Sequence, residues 1–157
     1  MDRPSYDLFI AAPMNALDEE AYDAGRDFVL ELKKSLSTSY GLGRIYFAGT
    51  EATGRQAFTQ EAAALRRDLE ALRSSRLVVL IYPGKVVTSA LVEIGYALAL
   101  GLPCLLLVRD RDDLPYLLRR ADQEAGGDLF PPIRTEILGG PDRAARQIAL
   151  FRDALAK

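Results

Sequence analysis

The sequence predicts a doubly wound α/β domain, with a five-stranded parallel sheet in the order 2-1-3-4-5 and helices on both faces. Two observations carry that expectation. Short apolar runs alternate with longer segments of helical period along the chain, the pattern of strands joined by helical crossovers. One run, "RLVVLIYPG", is apolar without alternation, as a strand covered on both faces must be. A length of 157 residues suits one such domain and not two, so residues 1–157 are read as a single unit.

The elements follow in order. "YDLFIAA", from Tyr6 to Ala12, reads as the first strand, ended by Pro13. Glu19 to Leu36 carries Ala21, Phe28, Val29, Leu32 and Leu36 at helical spacing. "RIYFAG" is the second strand, and Gln60 to Leu72 a helix with Ala64, Leu65, Leu69 and Leu72 on one face. "RLVVLIYPG" is the third strand, Ser89 to Leu100 the next helix and Leu102 to Val108 the fourth strand. A short helix is expected near Leu114 to Ala121, a weak fifth strand at Ile133 to Ile137, and a closing helix from Pro141 to Ala156 with its proline in the first turn. Right-handed crossovers wind these strands in the stated order and put the switch of direction between the first and third. Ligands of such sheets bind at the carboxyl ends flanking the switch, here Pro13 to Asn15 and Tyr82 to Lys85.

Composition removes several function classes. Lys plus Arg total 20 against 22 Asp plus Glu, a net charge of -2 without clustering, so no track for a nucleic acid polymer is expected. There is no histidine, which excludes His-ligated metals and His-dependent triads, and no cofactor is implied. The single cysteine, Cys104, lies in an aliphatic run and reads as a small buried hydrophobe. "MDRPSYD" lacks the apolar core of a secretory signal, so a cytoplasmic protein is expected. The apolar stretch from Lys85 to Arg109 is cut by Gly101-Leu102-Pro103 and contains Glu93, which argues against a membrane span.

Glu93 is the residue that needs explaining. A glutamate in a first helical turn is favourable toward the helix dipole and often does nothing else. Here the helix is apolar on every side, with Leu91, Val92, Ile94, Tyr96, Leu98 and Leu100 around it, so it is expected to pack between the sheet and another surface. A carboxylate on such a helix must be paired, hydrated in a cavity or neutral, and the nearest basic residue in sequence is Lys85. Following the loop at the switch point, its side chain leans toward the helix start and the cleft. Thr88 or Ser89 suits the N-cap, and the helix end behind it suits an anion.

These residues resemble a family. "RRDLEALRSSRLVVLIYPGKVVTSALVEIGYALALGLPCLLLVRDRDD" is similar to the core of the nucleoside 2-deoxyribosyltransferase superfamily, most closely its nucleoside 5'-monophosphate (CMP-type) N-glycosidase branch. The shared pattern is Asp68 on the second helix, the Pro83-Gly84 loop, Ser89, Glu93 to Ala97, and the Gly101 to Pro103 turn. The N-terminal "DLFIAAPM" and "AGTEATG" fit more loosely. The resemblance implies a flavodoxin-like (Rossmann-like) sheet, cleavage of an N-glycosidic bond, Glu93 as nucleophile and Asp68 as its helper in handling protons or substrate hydroxyls. It also implies a small nucleotide or nucleoside substrate, a homodimer, and a 5'-phosphate held by Ser89 with Thr88 beside it. An ionised carboxylate beneath an anomeric carbon stabilises or bonds the positive charge left by a departing base. Lys85 and the helix N-terminus are expected to keep Glu93 ionised.

Other positions carry less. Gly84, Lys85 and Pro13 lie in the loops at the crevice; Asn15 and Asp110 suit contact with base or ribose, or simple loop formation. Tyr96, three positions after Glu93, suits packing against it or a place in the core. Asp68 sits among Arg66, Arg67 and Glu70, where an exposed charge pair is the ordinary outcome. "PMNAL" lacks the aromatic and arginine of the cytidylate-specific relatives, so base preference is not inherited. The transferase members of the family receive a polar residue from a neighbour's C-terminus, and "FRDALAK" offers no clear equivalent, which favours water as acceptor. Alternatives are a TIR-like NAD glycohydrolase, suggested by "DLFIAAP" and "LRSSRLVVLIYP", a nucleoside deoxyribosyltransferase, a phosphoribohydrolase of the cytokinin-activating type, for which "PGKVVTS" lacks the required glycines, and a nucleotide-binding module without turnover.

Overall fold

The computed structural model describes residues 5–14, 17–50, 61–123 and 130–157. The sheet contains β1 (Leu8–Ala11), β2 (Ile45–Tyr46), β3 (Val78–Tyr82), β4 (Cys104–Val108) and β5 (Ile133–Ile137), all parallel and ordered β2-β1-β3-β4-β5. Helices α1 (Glu19–Tyr40) and α4 (Pro141–Leu155) pack together on one face, α2 (Glu61–Arg73) and α3 (Ala90–Ala99) on the other. This is the flavodoxin-like arrangement expected from the alternation of short strands and helices, with the switch between β1 and β3.

Two apolar layers follow from the period of the strands. Leu8 and Ile10 of β1, Val79 and Ile81 of β3, and Leu105 and Leu107 of β4 face α1 and α4. Phe9, Ala11, Val78, Leu80, Tyr82, Cys104, Leu106 and Val108 face α2 and α3. Every residue of β3 and β4 is buried, which is why neither shows a polar alternation in sequence. Burying one such aliphatic side chain contributes about 1.5–3 kcal/mol, so the central pair anchors the domain.

Several boundaries differ from expectation for visible reasons. Helix α1 continues past Leu36 to Tyr40; it starts on Asp18, whose carboxylate accepts from the Ala21 N–H at 2.8 Å, and stops only where Gly41 adopts φ 66°. Strand β2 is two residues, because the carbonyls of Gly49 and Thr50 are taken by the Arg26 guanidinium at 2.9 and 3.1 Å and the chain turns into a 3-10 segment at Ala48–Thr50. The expected helix at Leu114 to Ala121 is absent. In its place 3-10 turns at Arg111–Asp113 and Ala121–Gln123 flank irregular turns. The guanidinium groups of Arg111 and Arg119 take the carbonyls of Arg119 and Leu114, both at 2.9 Å, and hold the segment as turns. On α2, Leu65 points outward while Ala71 and Leu72 are buried.

Helix α3 also departs from expectation. Ala90, Glu93, Ile94 and Ala97 are buried, whereas Val92, at 62% exposure, and Gly95, Ala99 and Leu100 line an uncovered side. The all-round apolar pattern therefore reflects one face on the sheet and one apolar face that the single chain leaves open.

Candidate active site

The loop between β3 and α3 is folded back on the sheet by Tyr82. Its hydroxyl donates to the Val86 carbonyl at 2.6 Å and accepts from the Val86 N–H at 3.1 Å. Inside this bend Gly84 lies against the Arg109 guanidinium, so near that an added Cβ would come within 3.5 Å of it, and Lys85 projects into solvent. Thr88 and Ser89 divide the two tasks that their sequence position left open. Thr88 is buried and its hydroxyl accepts from the Ala90 N–H at 3.3 Å. Ser89 occupies the cap position, is exposed, and makes no side-chain cap bond, which leaves its hydroxyl available at the helix start.

One turn further, Glu93 is 8% exposed. Among the described residues its carboxyl forms no ion pair and receives no side-chain hydrogen bond. Burial, reinforced by the negative charge of Asp68, pushes its pKa up to about 8. Against the expectation that Lys85 and the helix end hold Glu93 ionised, desolvation acts in the opposite direction and raises its pKa. An exposed ammonium is screened by water, whereas the loss of hydration at a buried carboxylate is not.

Asp68 is half-buried on α2 and is not part of an exposed charge pair. Its Oδ1 accepts from the Tyr46 hydroxyl at 2.7 Å. Burial raises the Asp68 pKa in spite of that bond and of the charge of Arg67. Tyr46 is in turn raised, first by burial, then by its bond to Asp68 and by the charge of Asp68, with a smaller contribution from Glu93. Three ionisable groups from β2, α2 and α3 thus meet on one face of the sheet. Tyr46 was missed in the sequence, although strand alternation puts it opposite Ile45, on the side that α2 and α3 cover.

The remaining positions are placed as follows. Pro13 is buried just beyond β1, and Asn15 lies outside the described residues. Asp110 is exposed and accepts from the Asp112 N–H at 2.9 Å, capping its own 3-10 turn. The Tyr96 hydroxyl accepts from Arg73 Nε at 2.6 Å, with the guanidinium 5.6 Å from the ring centre. A shallow hollow of about 300 Å³ shares Tyr46 with the acid cluster and is otherwise lined by groups such as Tyr6, Arg67 and Glu70; Asp68 and Glu93 do not border it. The described residues contain no group of His, Cys, Asp or Glu able to hold a metal ion, and no helix among them is long and apolar enough to cross a membrane.

Chemically, the cluster offers a buried acid able to attack or stabilise an electrophilic carbon once ionised, a second carboxylate beside it, and the exposed Ser89 hydroxyl at the helix start, where the N–H groups of Ala90, Leu91 and Val92 are already taken by Thr88 and Ser89 oxygens. The chain matches no protein-family model and no curated protein. Among solved structures it is similar to the CMP N-glycosidase BcmB of Clostridium botulinum, with a TM-score of 0.61 and 17% identity over 90% of this chain and 96% of that one. That likeness concerns the fold.

Proposed function

We propose that the chain hydrolyses the N-glycosidic bond of a nucleoside 5'-monophosphate or nucleoside, releasing free base and a (deoxy)ribose or its 5-phosphate, with Glu93 as nucleophile. The observation that carries this reading is a single buried glutamate in the first turn of α3, beside Asp68, behind the loop at the switch point. In the first step an oxygen of ionised Glu93 bonds to C1' as the C1'–N bond breaks with its electron pair going to the base, which takes a proton from solvent. Water then attacks C1' as the ester bond breaks, Glu93 recovers its electron pair, and the proton of the water passes to the Asp68 carboxylate. Asp68 serves as the proton carrier beside it. The Ser89 hydroxyl, exposed and without a cap bond, suits a 5'-phosphate, with Gly84 and Lys85 bordering it and Thr88, which takes the Ala90 N–H, shaping the helix end. Contacts from Pro13, Asn15, Tyr96 and Asp110 to base or ribose remain part of the proposal, as does a homodimer, which the apolar open side of α3 supports. The fold likeness to a CMP N-glycosidase is consistent with this chemistry.

The test is chromatographic detection of free base from a panel of ribo- and deoxynucleoside monophosphates, nucleosides and NAD. At least one substrate should release base, and Glu93→Gln should lower that release by about 10³-fold or more. Undiminished release by the variant refutes the assignment. Because burial and the charge of Asp68 push the Glu93 pKa up to about 8, kcat/KM should climb as pH approaches that value and then level off.

A further inference from the structure

We infer that Tyr46 is the positioning residue of the acid pair: its hydroxyl holds Asp68 as a fixed hydrogen-bond acceptor and so sets the order in which Asp68 and Glu93 give up their protons. The hydroxyl lies 2.7 Å from Asp68 Oδ1. The ring beneath it has little freedom, being stacked on Phe9 at 5.1 Å and met edge-on by Tyr6 at 5.4 Å. Tyr46 is also paired in register with Phe9 in the parallel ladder, so the sheet itself sets the height of the hydroxyl. A phenylalanine would complete the same stack; the hydroxyl is the part that packing does not require.

A donor aimed at a carboxylate favours its charged form, and a charged Asp68 disfavours a second negative charge on Glu93. Among the described residues, the groups facing the Asp68–Glu93 pair are Tyr46 from β2 and Arg67 next to Asp68 on α2. Arg73 is engaged with the Tyr96 hydroxyl, Tyr6 meets the Tyr46 ring edge-on from β1's side, and Lys85 stands exposed in the loop. Removing the hydroxyl should therefore move the proton toward Asp68 and release Glu93 to ionise at lower pH. The catalytic consequence rests on the proposed N-glycosidase reading; the placement of the proton does not.

The experiment is a pH titration of the whole protein labelled with ¹³C at the Asp and Glu carboxyls, read by NMR for wild type, Tyr46→Phe, Asp68→Asn and the double variant. Tyr46→Phe should raise the Asp68 midpoint and lower the Glu93 midpoint from about 8. Asp68→Asn should lower the Glu93 midpoint as well, and adding Tyr46→Phe to it should then leave Glu93 unmoved. Two unmoved midpoints in Tyr46→Phe overturn the inference, as does a Glu93 midpoint indifferent to Asp68→Asn, or an equal effect of Tyr46→Phe in both backgrounds. Base release provides a second readout, in which the rising limb of kcat/KM for Tyr46→Phe should shift to lower pH. A wild type that releases no base from any substrate removes the N-glycosidase reading and leaves the carboxyl titration to decide the role of Tyr46.

Discussion

Glu93 links the chemistry of the site to the stability of the fold. Its pKa of about 8 stands against an ordinary 4.5, so between those values the folded chain keeps a proton that the unfolded chain has released. Stability therefore falls as pH rises through that window, by about 1.4 kcal/mol per pH unit at most and several kcal/mol in total. Denaturant titrations at pH 6 and pH 9 should show wild type losing stability, and Glu93→Gln, which has no proton to lose, should be much flatter. An equal slope for both would contradict the burial of this acid. Asp122 works in the other direction: its Arg111 partner holds it below the usual carboxylate range, so its contribution disappears only as pH falls into the acid region. At this scale Glu93 was legible in sequence as an acid without a neighbour of opposite charge, but its charge state was not. Ionisation depends on how much water the tertiary structure removes and on Asp68, which is distant in sequence. Cys104 was legible in full: it is buried, its thiol is pushed up to about 12 by burial, and nothing suggests reactivity.

Elements whose ends are defined by local chemistry were read well. Helix α3 closes where Gly101 adopts φ 72°, with the Leu102 N–H bonded to the Ala97 carbonyl and the Gly101 N–H to the Leu98 carbonyl, both at 3.0 Å. Nothing lies within 4 Å of the place where a Cβ at Gly101 would stand. Gly101→Ala should accordingly cost about 1 kcal/mol from backbone strain alone, measurable as a lowered denaturation midpoint. A loss of several kcal/mol would imply a steric conflict that the geometry lacks. Elements defined by remote side chains were misread. The segment after β4 has apolar residues at helical spacing, but Arg111, Arg119 and Asp122 hold it as turns through bonds that no window of sequence displays. The shortness of β2 has the same origin in Arg26 of α1.

For the whole molecule, the open apolar side of α3 is the feature the single chain leaves unfinished. If the proposed homodimer uses it, sedimentation of the 17.3 kDa chain should give twice that mass, and Val92→Asp should give the single chain with its fold retained. A wild type that sediments as one chain removes the dimer from the proposal. The sequence by itself determined the strand order, the position of the switch and the acid behind it, because alternation of apolar runs and right-handed crossovers are rules of local period and chain connection. Only the tertiary structure decided that Tyr46 joins Asp68 and Glu93, that burial raises the pKa of Glu93 and that one side of α3 stays bare. These depend on distances between elements remote in sequence and on the water those elements exclude, and neither quantity is written in any single stretch of the chain.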